Sequence, residues 1–500
     1  MTFEHSLDNL LENLKYKSVE NYCEQKIKNI TNHSKEVEER SIFVAIKGFN
    51  KDGHLFIQEA IKKGAEVIIG EKNIDSLNIP ANITYIQVNS ARQAFAGLNA
   101  CFFGYPADKM KMIGITGSAG KTTISFMLDS IFSYQNKNTG LISTLYTKVG
   151  NNLYENPNKC TTPHASYLQN KLAEMYENNI KYVPMEVSSH ALKLNRVYGI
   201  NYDIAIFTNL SYDHINFHEN VTDYFQSKAK LFNLLKENGF GVVNIDDKYG
   251  KKIKNSNPCY TYGINSKKAL IKGENLKMGR DNLRFTVNIK SKVKTLNNKI
   301  ISPQKFELNL PIIGYQNVYN GLAAFTTGLL LDIPLEKIRE GLKNFEGVDR
   351  RMEIIYDKDF MVIDDFAHNP ISIETTFKSI SQLEYNELVL LHFLKGKRGV
   401  KANVINAKIF NKWKGKLKIK NVIATEAQNN IIKKNRVLEK EKNSFINQVD
   451  KSEIVFSNYT NLKPAIKQAL NTTKKNDLLL LLGGPGLSNA KNIIQEILEM

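Results

Sequence analysis

The chain has 500 residues, 42% hydrophobic and 24% charged, a balance that excludes a disordered or fibrous protein and allows two to four domains of roughly 100–200 residues each. Its net charge of +18 comes from lysines scattered along the chain, so it reads as a solvated surface and no nucleic-acid partner is expected. The four cysteines, Cys23, Cys101, Cys160 and Cys259, include no pair at C-x-x-C spacing, which argues against a zinc site or a disulfide framework. Reduced thiols suit a cytoplasmic protein. Residues 1–17 lack the basic start and apolar core of a secretory signal. The most apolar run, 478–482, is far shorter than the ~20 residues that cross a bilayer, so no membrane insertion is expected.

In chain order, residues 41–46 read as a strand, 55–63 as a helix stopped by Gly64, 65–69 as a strand closed by Gly70, and 91–103 as a helix. Pro106 marks a linker, which places a first unit at 1–108. A second unit, 109–346, opens with a short apolar strand at 112–115, then a glycine-bearing loop and a helix from Thr122. Residues 182–185 and 204–207 are further buried strands. The polar stretch 265–305 reads as a β excursion, and 317–331 as a helix rich in small residues. A third unit, 347–500, has strand candidates at 360–363, 387–391, 421–424 and 477–482 with helices between them. Strands alternating with helices predict α/β units with mostly parallel sheets.

The stretch Gly114-Ile115-Thr116-Gly117-Ser118-Ala119-Gly120-Lys121-Thr122-Thr123 follows a strand and opens a helix, the context of a phosphate-binding loop. Helix N-terminal N–H groups favour an anion there, and glycines let the backbone approach phosphate oxygens. Lys121 would face the β- and γ-phosphates, and Thr122 would offer a hydroxyl to Mg²⁺. Ile115 stands where the strict pattern has glycine, so Gly117 supplies the permissive position. Such a loop alone says only that a nucleoside triphosphate binds.

Further motifs follow: Met185-Glu186-Val187-Ser188-Ser189-His190-Ala191-Leu192, Phe207-Thr208-Asn209-Leu210, Asp213-His214-Ile215-Asn216-Phe217-His218, and Tyr224-Phe225-Gln226-Ser227-Lys228-Ala229-Lys230-Leu231-Phe232. With Phe43-Val44-Ala45-Ile46-Lys47-Gly48, Asp52-Gly53-His54, Gly314-Tyr315-Gln316-Asn317-Val318-Tyr319-Asn320, Arg351-Met352-Glu353 and Asp365-Phe366-Ala367-His368-Asn369-Pro370, this set resembles the Mur ligase family. Within that family it looks most like the UDP-N-acetylmuramoyl-tripeptide synthetases, which add the third residue of the peptidoglycan stem peptide. The resemblance covers about residues 30–370 well.

That resemblance implies a central parallel-sheet ATPase domain between a small α/β uridine-binding domain and a C-terminal Rossmann-like α/β domain that binds the amino acid. It implies ATP as substrate and two Mg²⁺ ions. It assigns ATP to Gly117, Ser118, Ala119, Gly120, Lys121, Thr122, Thr123, Asn317, Asn320, Arg351 and Asp365. It assigns metal to Thr122, Glu186, His214 and Lys228, the last as a carbamate, and catalysis to Lys121, Lys228 and His214. The muramyl dipeptide nucleotide falls to Ser34, Thr161, Thr162, Ser189 and Arg196. The partners are UDP-N-acetylmuramoyl-dipeptide and an amino acid, acting on a monomer. His214 and His218 are four apart, but no H-E-x-x-H supports zinc, and His218 is read as structural. No G-x-S-x-G elbow surrounds Ser188-Ser189-His190, so these residues are read as positioning substrate and not as a hydrolase triad.

Departures cluster at both ends. The usual Asp-Ser-Arg is His33-Ser34-Lys35, Leu194 stands where glutamine is usual, and Phe366 replaces tyrosine. In the third unit, diaminopimelate-adding members carry Asp-Asn-Pro-Arg where this chain has Thr425-Glu426-Ala427-Gln428-Asn429-Asn430. The usual Gly-Lys-Gly-His-Glu is Gly483-Gly484-Pro485-Gly486-Leu487, and Gly-Asp-Arg-Asp has become Lys395-Gly396-Lys397-Arg398-Gly399. An arginine fork is what best grips a distal carboxylate. Meso-diaminopimelate is therefore not expected to be the preferred amine. Glu426 would attract a distal ammonium, as in lysine or ornithine, or Gln428 and Asn429 would meet a neutral amino acid. The rival readings are a paralogous Mur-type ligase with a different amine or acceptor, and a non-catalytic protein that binds the muramyl nucleotide.

Overall fold

The computed structural model describes residues 4–136, 138–157, 160–211, 217–256, 258–397, 399–432, 435–449 and 454–498. Short apolar strands alternate with amphipathic helices and gather into three main sheets in chain order. The first holds β1 (Tyr16–Glu20), β2 (Asn29–Thr31), β3 (Ser41–Val44), β4 (Ala65–Gly70) and β5 (Thr84–Val88) in the order β1-β5-β4-β3-β2, with β1 antiparallel. Alternate residues of β3 and β4 point to opposite faces. Ile42, Val44, Val67 and Ile69 pack on the helix α2 (Ala91–Phe102), while Phe43 and Ile68 pack on α1 (Ile57–Lys62). The helix expected at 55–63 is split. Asp52 caps a 3₁₀ turn, Gly53–Phe56, by accepting from the His54 N–H (3.0 Å), and α1 starts only after it.

The second sheet has eleven strands: β6 (Lys111–Thr116), β7 (Gly140–Ile142), β8 (Thr147–Val149), β9 (Asn152–Tyr154), β10 (Tyr182–Glu186), β11 (Tyr202–Phe207), β12 (Leu235–Asn244), β13 (Cys259–Gly263), β14 (Ile271–Met278), β15 (Leu283–Ile289) and β16 (Gln304–Leu310). Their order is β9-β8-β7-β10-β6-β11-β12-β13-β14-β15-β16, parallel from β7 through β14. Helices α3 (Lys121–Asn136), α7 (Gln316–Leu330) and α8 (Leu335–Lys343) cover one face. Helix α4 (Ala165–Glu177) covers the other, with α5 (Ser189–Lys193) and α6 (Val221–Ala229) beyond it. The expected excursion at 265–305 is real: β14, β15 and β16 extend the sheet as antiparallel strands, with Phe285, Val287 and Ile289 turned into the core. Chain direction across the sheet reverses beside β6. Loops at the carboxyl ends of β6, β10 and β11 therefore converge on one crevice, where α/β sheets bind ligands.

The third sheet holds β17 (Arg351–Asp357), β18 (Met361–Asp365), β19 (Leu388–Phe393), β20 (Ile419–Thr425), β21 (Val455–Tyr459) and β22 (Leu478–Leu482), ordered β17-β18-β22-β19-β20-β21 with only β17 antiparallel. Its centre is the five-leucine strand β22, fully buried, each side chain worth roughly 2 kcal/mol of burial. Helices α9 (Pro370–Ile380), α10 (Val400–Leu417) and α11 (Glu439–Val449) pack on one face, and α12 (Leu462–Thr472) and α13 (Ala490–Ile497) on the other. Among the described residues no helix is long and apolar enough to cross a membrane.

Candidate active site

Ile113 and Ile115 anchor β6 in the core, so the loop after it is aimed by a rigid strand. Gly117 and Gly120 have φ of 149° and 90°, where side chains are strained. A Cβ on Gly117 would lie 1.9 Å from Thr208 Oγ1, and one on Gly120 would lie 2.6 Å from Asn320 Oδ1. The loop between them is pinned from β11's far end. Ser118 N donates to Asn209 O (2.9 Å), Ala119 N to Asn209 Oδ1 (3.1 Å), and Thr208 Oγ1 to Ala119 O (2.6 Å). Within α7, Asn320 donates to Asn317 Oδ1 (2.8 Å), which holds the Asn320 side chain beside Gly120. Lys121 begins α3 and donates to Gly117 O (2.9 Å) and Ser118 O (3.4 Å), while Thr122 and Thr123 are buried behind it.

Lys228, buried on α6, donates to the same Gly117 carbonyl (2.8 Å), with its ammonium 4.6 Å from the Tyr224 ring. Two ammonium groups thus converge on one carbonyl oxygen, a concentration of positive charge that suits a polyphosphate. Glu186, at the end of β10, is fully buried. Thr144 N donates to Glu186 Oε1 (2.7 Å), and the Thr144 hydroxyl lies 3.0 Å from Oε2 and 3.2 Å from Thr161 Oγ1. Each Glu186 oxygen keeps acceptor capacity after these bonds. A carboxylate with open lone pairs is a hard-oxygen donor of the kind Mg²⁺ takes. The Thr116 hydroxyl, at the end of β6, is buried without a hydrogen-bond partner. His214 lies outside the described residues. Among the described residues, no group of three His, Cys, Asp or Glu side chains gathers as zinc would need.

Next to Glu186, Thr162 donates to the Glu186 carbonyl (3.0 Å) and accepts from Ser188 N (3.0 Å), and Arg196 donates to Thr162 O (2.9 Å). Ser189 is buried at the start of α5, one residue on from Ser188. His164 lies below the usual imidazole range through desolvation first, then through Arg196 and Arg92. Arg92, on α2 of the first sheet, donates to Lys47 O (3.0 Å) and faces the Phe49 ring at 5.9 Å. Phe49 meets Phe217 edge-on at 5.7 Å, and Phe217 stacks on His190 at 3.7 Å. Arg92, His164 and Phe49 thus join this crevice, although no motif marked them. Ser34 is buried in the turn Ser34–Glu36 after β2.

The third sheet closes the crevice from the other side. Arg351 pairs with Asp365 across β17 and β18. Burial lowers the Arg351 pKa, while Asp365 and then Glu186 pull it back up, so its guanidinium bridges the two sheets electrostatically. Asp365 accepts from Met352 N (2.9 Å), Ala367 N (2.8 Å) and Thr376 Oγ1 (3.1 Å); burial still raises its pKa, against the pull of Arg351. Arg350, unmarked in the sequence, donates to Asp364 Oδ2 (3.0 Å), Gly484 O (3.0 Å) and Gly483 O (2.7 Å). Phe366 lies between two guanidinium groups, 5.2 Å from Arg350 and 5.0 Å from Arg351, so its ring needs no hydroxyl to be held.

Three family models match in order: the Mur ligase family catalytic domain over residues 26–102, the Mur ligase middle domain over 115–328, and the Mur ligase glutamate ligase domain over 350–484. The chain is 32% identical over 463 residues to the UDP-N-acetylmuramoyl-L-alanyl-D-glutamate–2,6-diaminopimelate ligase of Caldanaerobacter subterraneus subsp. tengcongensis, covering 91% of this chain and 89% of that one. It is likewise 32% identical over 487 residues to the ligase of the same name from Clostridium tetani, covering 95% and 93%. The chain belongs to the Mur ligase family. It is an ATP-dependent ligase. Among solved structures, one described as a UDP-N-acetylmuramoyl-L-alanyl-D-glutamate–2,6-diaminopimelate ligase aligns with a TM-score of 0.68 at 22% identity, over 97% of this chain and 94% of that one. A MurF ligase from Thermotoga maritima in complex with ADP aligns at 0.62 and 17%, over 94% and 98%. These two show the fold.

The divergent stretch of this Mur ligase follows β20. Glu426 is buried and its charge is already met. Lys442 on α11 lies 3.3 Å from Oε1, Asn458 donates to Oε1 (3.2 Å), and Gln428 donates to Oε2 (2.8 Å). Burial opposes ionisation there, and the Gln428, Asn458 and Lys442 hydrogen bonds outweigh it, so the pKa is lowered. The expectation that Glu426 stands ready for a distal ammonium is corrected: Lys442, sixteen residues on in α11, already lies between it and Glu439 (2.7 Å). Gln428 is likewise engaged, and Asn429 is the exposed amide of the pair.

Proposed function

We propose that this Mur ligase uses ATP to join an amino acid to UDP-MurNAc-L-Ala-D-Glu through an acyl phosphate, in the cytoplasm and as a monomer. The convergence of Lys121 and Lys228 on Gly117 O, beside buried Glu186 and the Arg351–Asp365 pair, carries this reading. A free carboxylate cannot be attacked by an amine at neutral pH, because its leaving group would be oxide or hydroxide. A carboxylate oxygen of the acceptor therefore attacks the γ-phosphorus of ATP, and the bond to the β–γ bridging oxygen breaks to release ADP. The amine nitrogen then attacks the acyl carbon, inorganic phosphate leaves, and the nitrogen loses a proton. Lys121 neutralises charge on the β- and γ-phosphates while the loop N–H groups orient them. Thr122, Glu186, His214 and Lys228 would hold two Mg²⁺ ions, which supply charge neutralisation across the transferring phosphoryl group. Arg196, Thr161, Thr162 and Ser189 hold the muramyl dipeptide, Ser34 the uridine end, and Asn317, Asn320, Arg351 and Asp365 the nucleotide. On this reading the domains are 1–108 for the muramyl nucleotide, 109–346 for ATP and 347–500 for the amino acid.

The test is ADP release with UDP-MurNAc-L-Ala-D-Glu and an amino-acid panel. ¹⁸O in the acceptor carboxylate should appear in phosphate. Release of AMP and pyrophosphate would rule out this chemistry, and binding without turnover for every amine would favour the non-catalytic reading. The relatives are named for 2,6-diaminopimelate, whereas residues 425–430 carry no arginine and a Glu426 already paired with Lys442. The expectation that meso-diaminopimelate is not the preferred amine now rests on that missing arginine. Competition among meso-diaminopimelate, lysine, ornithine and neutral amino acids should give meso-diaminopimelate no advantage in kcat/KM. A clear preference for it would mean that another cation meets the distal carboxylate.

A further inference from the structure

Behind Ser189, which the reading above places on the muramyl dipeptide, stand two side chains that it leaves without a role. Ser189 Oγ lies 2.9 Å from His218 Nε2, and His218 Nδ1 lies 3.2 Å from Asp223 Oδ2. The order Ser-His-Asp is that of a hydrolase triad. Here, however, the serine opens the short helix α5, is almost fully buried, and has no nucleophile elbow around it. The direction of its hydrogen bonds is the informative feature.

Asp223 sits in the first turn of α6, where Oδ2 also accepts from Lys193 Nζ (2.6 Å) and Glu219 N (3.1 Å). Lys193 first of all holds its pKa down to about 2, so it is an anion that only accepts. His218 Nδ1 must then carry a proton and donate to it. Burial holds the imidazole below its usual pKa, against the pull of Asp223. Lys193 lowers it further, and the His190 and Tyr224 rings pack against it. A neutral imidazole with its proton on Nδ1 has Nε2 as an acceptor. The contact between Ser189 and His218 therefore forms only if Ser189 donates. Its single hydrogen is committed, and its oxygen can offer a ligand nothing but lone pairs.

We propose that the Asp223–His218 pair fixes Ser189 as an obligate acceptor, so that Ser189 receives an amide N–H of the acceptor's peptide arm and cannot donate to a carbonyl or carboxylate. This rests on the reading that the acceptor is a muramyl dipeptide nucleotide. His218 and Asp223 are then positioning residues that act through Ser189. They make the crevice select for a donor on the ligand, because an ester oxygen placed there would meet lone pairs with lone pairs and leave Ser189 unsatisfied.

The test uses UDP-MurNAc-L-Ala-D-Glu and two analogues in which an ester oxygen replaces one amide N–H, at the lactoyl–alanine or at the alanine–glutamate linkage. With the wild-type chain, one ester should raise KM about tenfold or more while kcat changes little. Ser189→Ala should handle that ester and the parent amide alike. His218→Phe, which keeps the ring packing but frees the Ser189 hydroxyl to donate, should lose most of the amide-over-ester ratio. His218→Gln, whose side-chain carbonyl can accept from Ser189, should retain it. Thermal unfolding of each variant separates these effects from misfolding, and Ser189→Ala alone suffices if His218→Phe does not fold. Equal KM for the amide and both esters in the wild type, or an unchanged ratio in Ser189→Ala, overturns the proposal. If the wild type does not use UDP-MurNAc-L-Ala-D-Glu at all, the acceptor reading fails and this inference falls with it.

Discussion

Lys121→Ala is expected to reduce ligation by about a thousandfold and to weaken ATP binding while leaving the fold intact. The magnitude follows from removing a fixed cation from a water-poor site where charge moves between phosphates, the setting in which a single electrostatic partner is worth about 10²–10³ in rate. The fold should survive because Lys121 does not hold the loop together. Asn209 and Thr208 pin Ser118 and Ala119, and the Gly117 and Gly120 conformations are set by close contacts with Thr208 and Asn320. Losing the Lys121 contacts leaves Gly117 O still bonded to Lys228 and only Ser118 O to turn to water. The measurements are ADP release, titration with a fluorescent ATP analogue, and thermal unfolding. Near-wild-type turnover in a folded variant would show that this loop does not carry the reacting phosphates.

The loop was legible because its chemistry is local. Strand, glycines, lysine and threonines are consecutive, so spacing alone states the geometry. Glu186 was legible for the same reason, as an acid ending a buried strand. Thr144 and Arg92 were not, because their importance is made only by folding, and Asn209, though inside a quoted motif, carried no role there. Thr144 sits beyond β7 and touches Glu186 across 42 residues, and Asn209 reaches the loop across 90. Of the strands that periodicity missed, β1, β17 and β21 are sheet edges whose burial does not alternate cleanly, while β5, β12 and β13 lie inside their sheets but are too mixed in polarity to read as apolar runs. The buried centre of each sheet reads as a plain apolar run. Glu426 shows the opposite failure. The acid was seen and its setting was not, because Lys442 reaches it from α11, shared with Glu439, and partly offsets the charge that made Glu426 look like a ligand. Local spacing thus recovers backbone-built sites well and side-chain-built pockets poorly.

Lys228→Ala is expected to be almost inactive and to regain part of its activity with acetate, formate or propionate. A buried ammonium beside the Lys121 ammonium, both donating to Gly117 O, is a poor partner for a site that must also hold Mg²⁺. Burial favours the neutral amine, which can take up CO₂. The ammonium first gives up a proton, the nitrogen lone pair then forms the N–C bond, and a second proton leaves, so the side chain passes from an ammonium to an anionic carbamate. The net change of two charges turns repulsion between Lys228 and Lys121 into attraction and adds hard oxygens of the kind Mg²⁺ prefers. A free carboxylic acid entering the space left by Lys228→Ala would restore the oxygens but not their tether, so rescue should be partial and should saturate with acid concentration. Wild-type activity should also fall when CO₂ is stripped from the buffer and return with bicarbonate, and ¹³C-bicarbonate should give a carbamate resonance that Lys228→Ala lacks. A plain structural lysine would show neither the rescue nor the bicarbonate dependence. Full activity in Lys228→Ala, or a variant that stays folded and inactive at every acid concentration while the wild type ignores bicarbonate, would end the carbamate reading and leave Lys228 as a cation facing the loop.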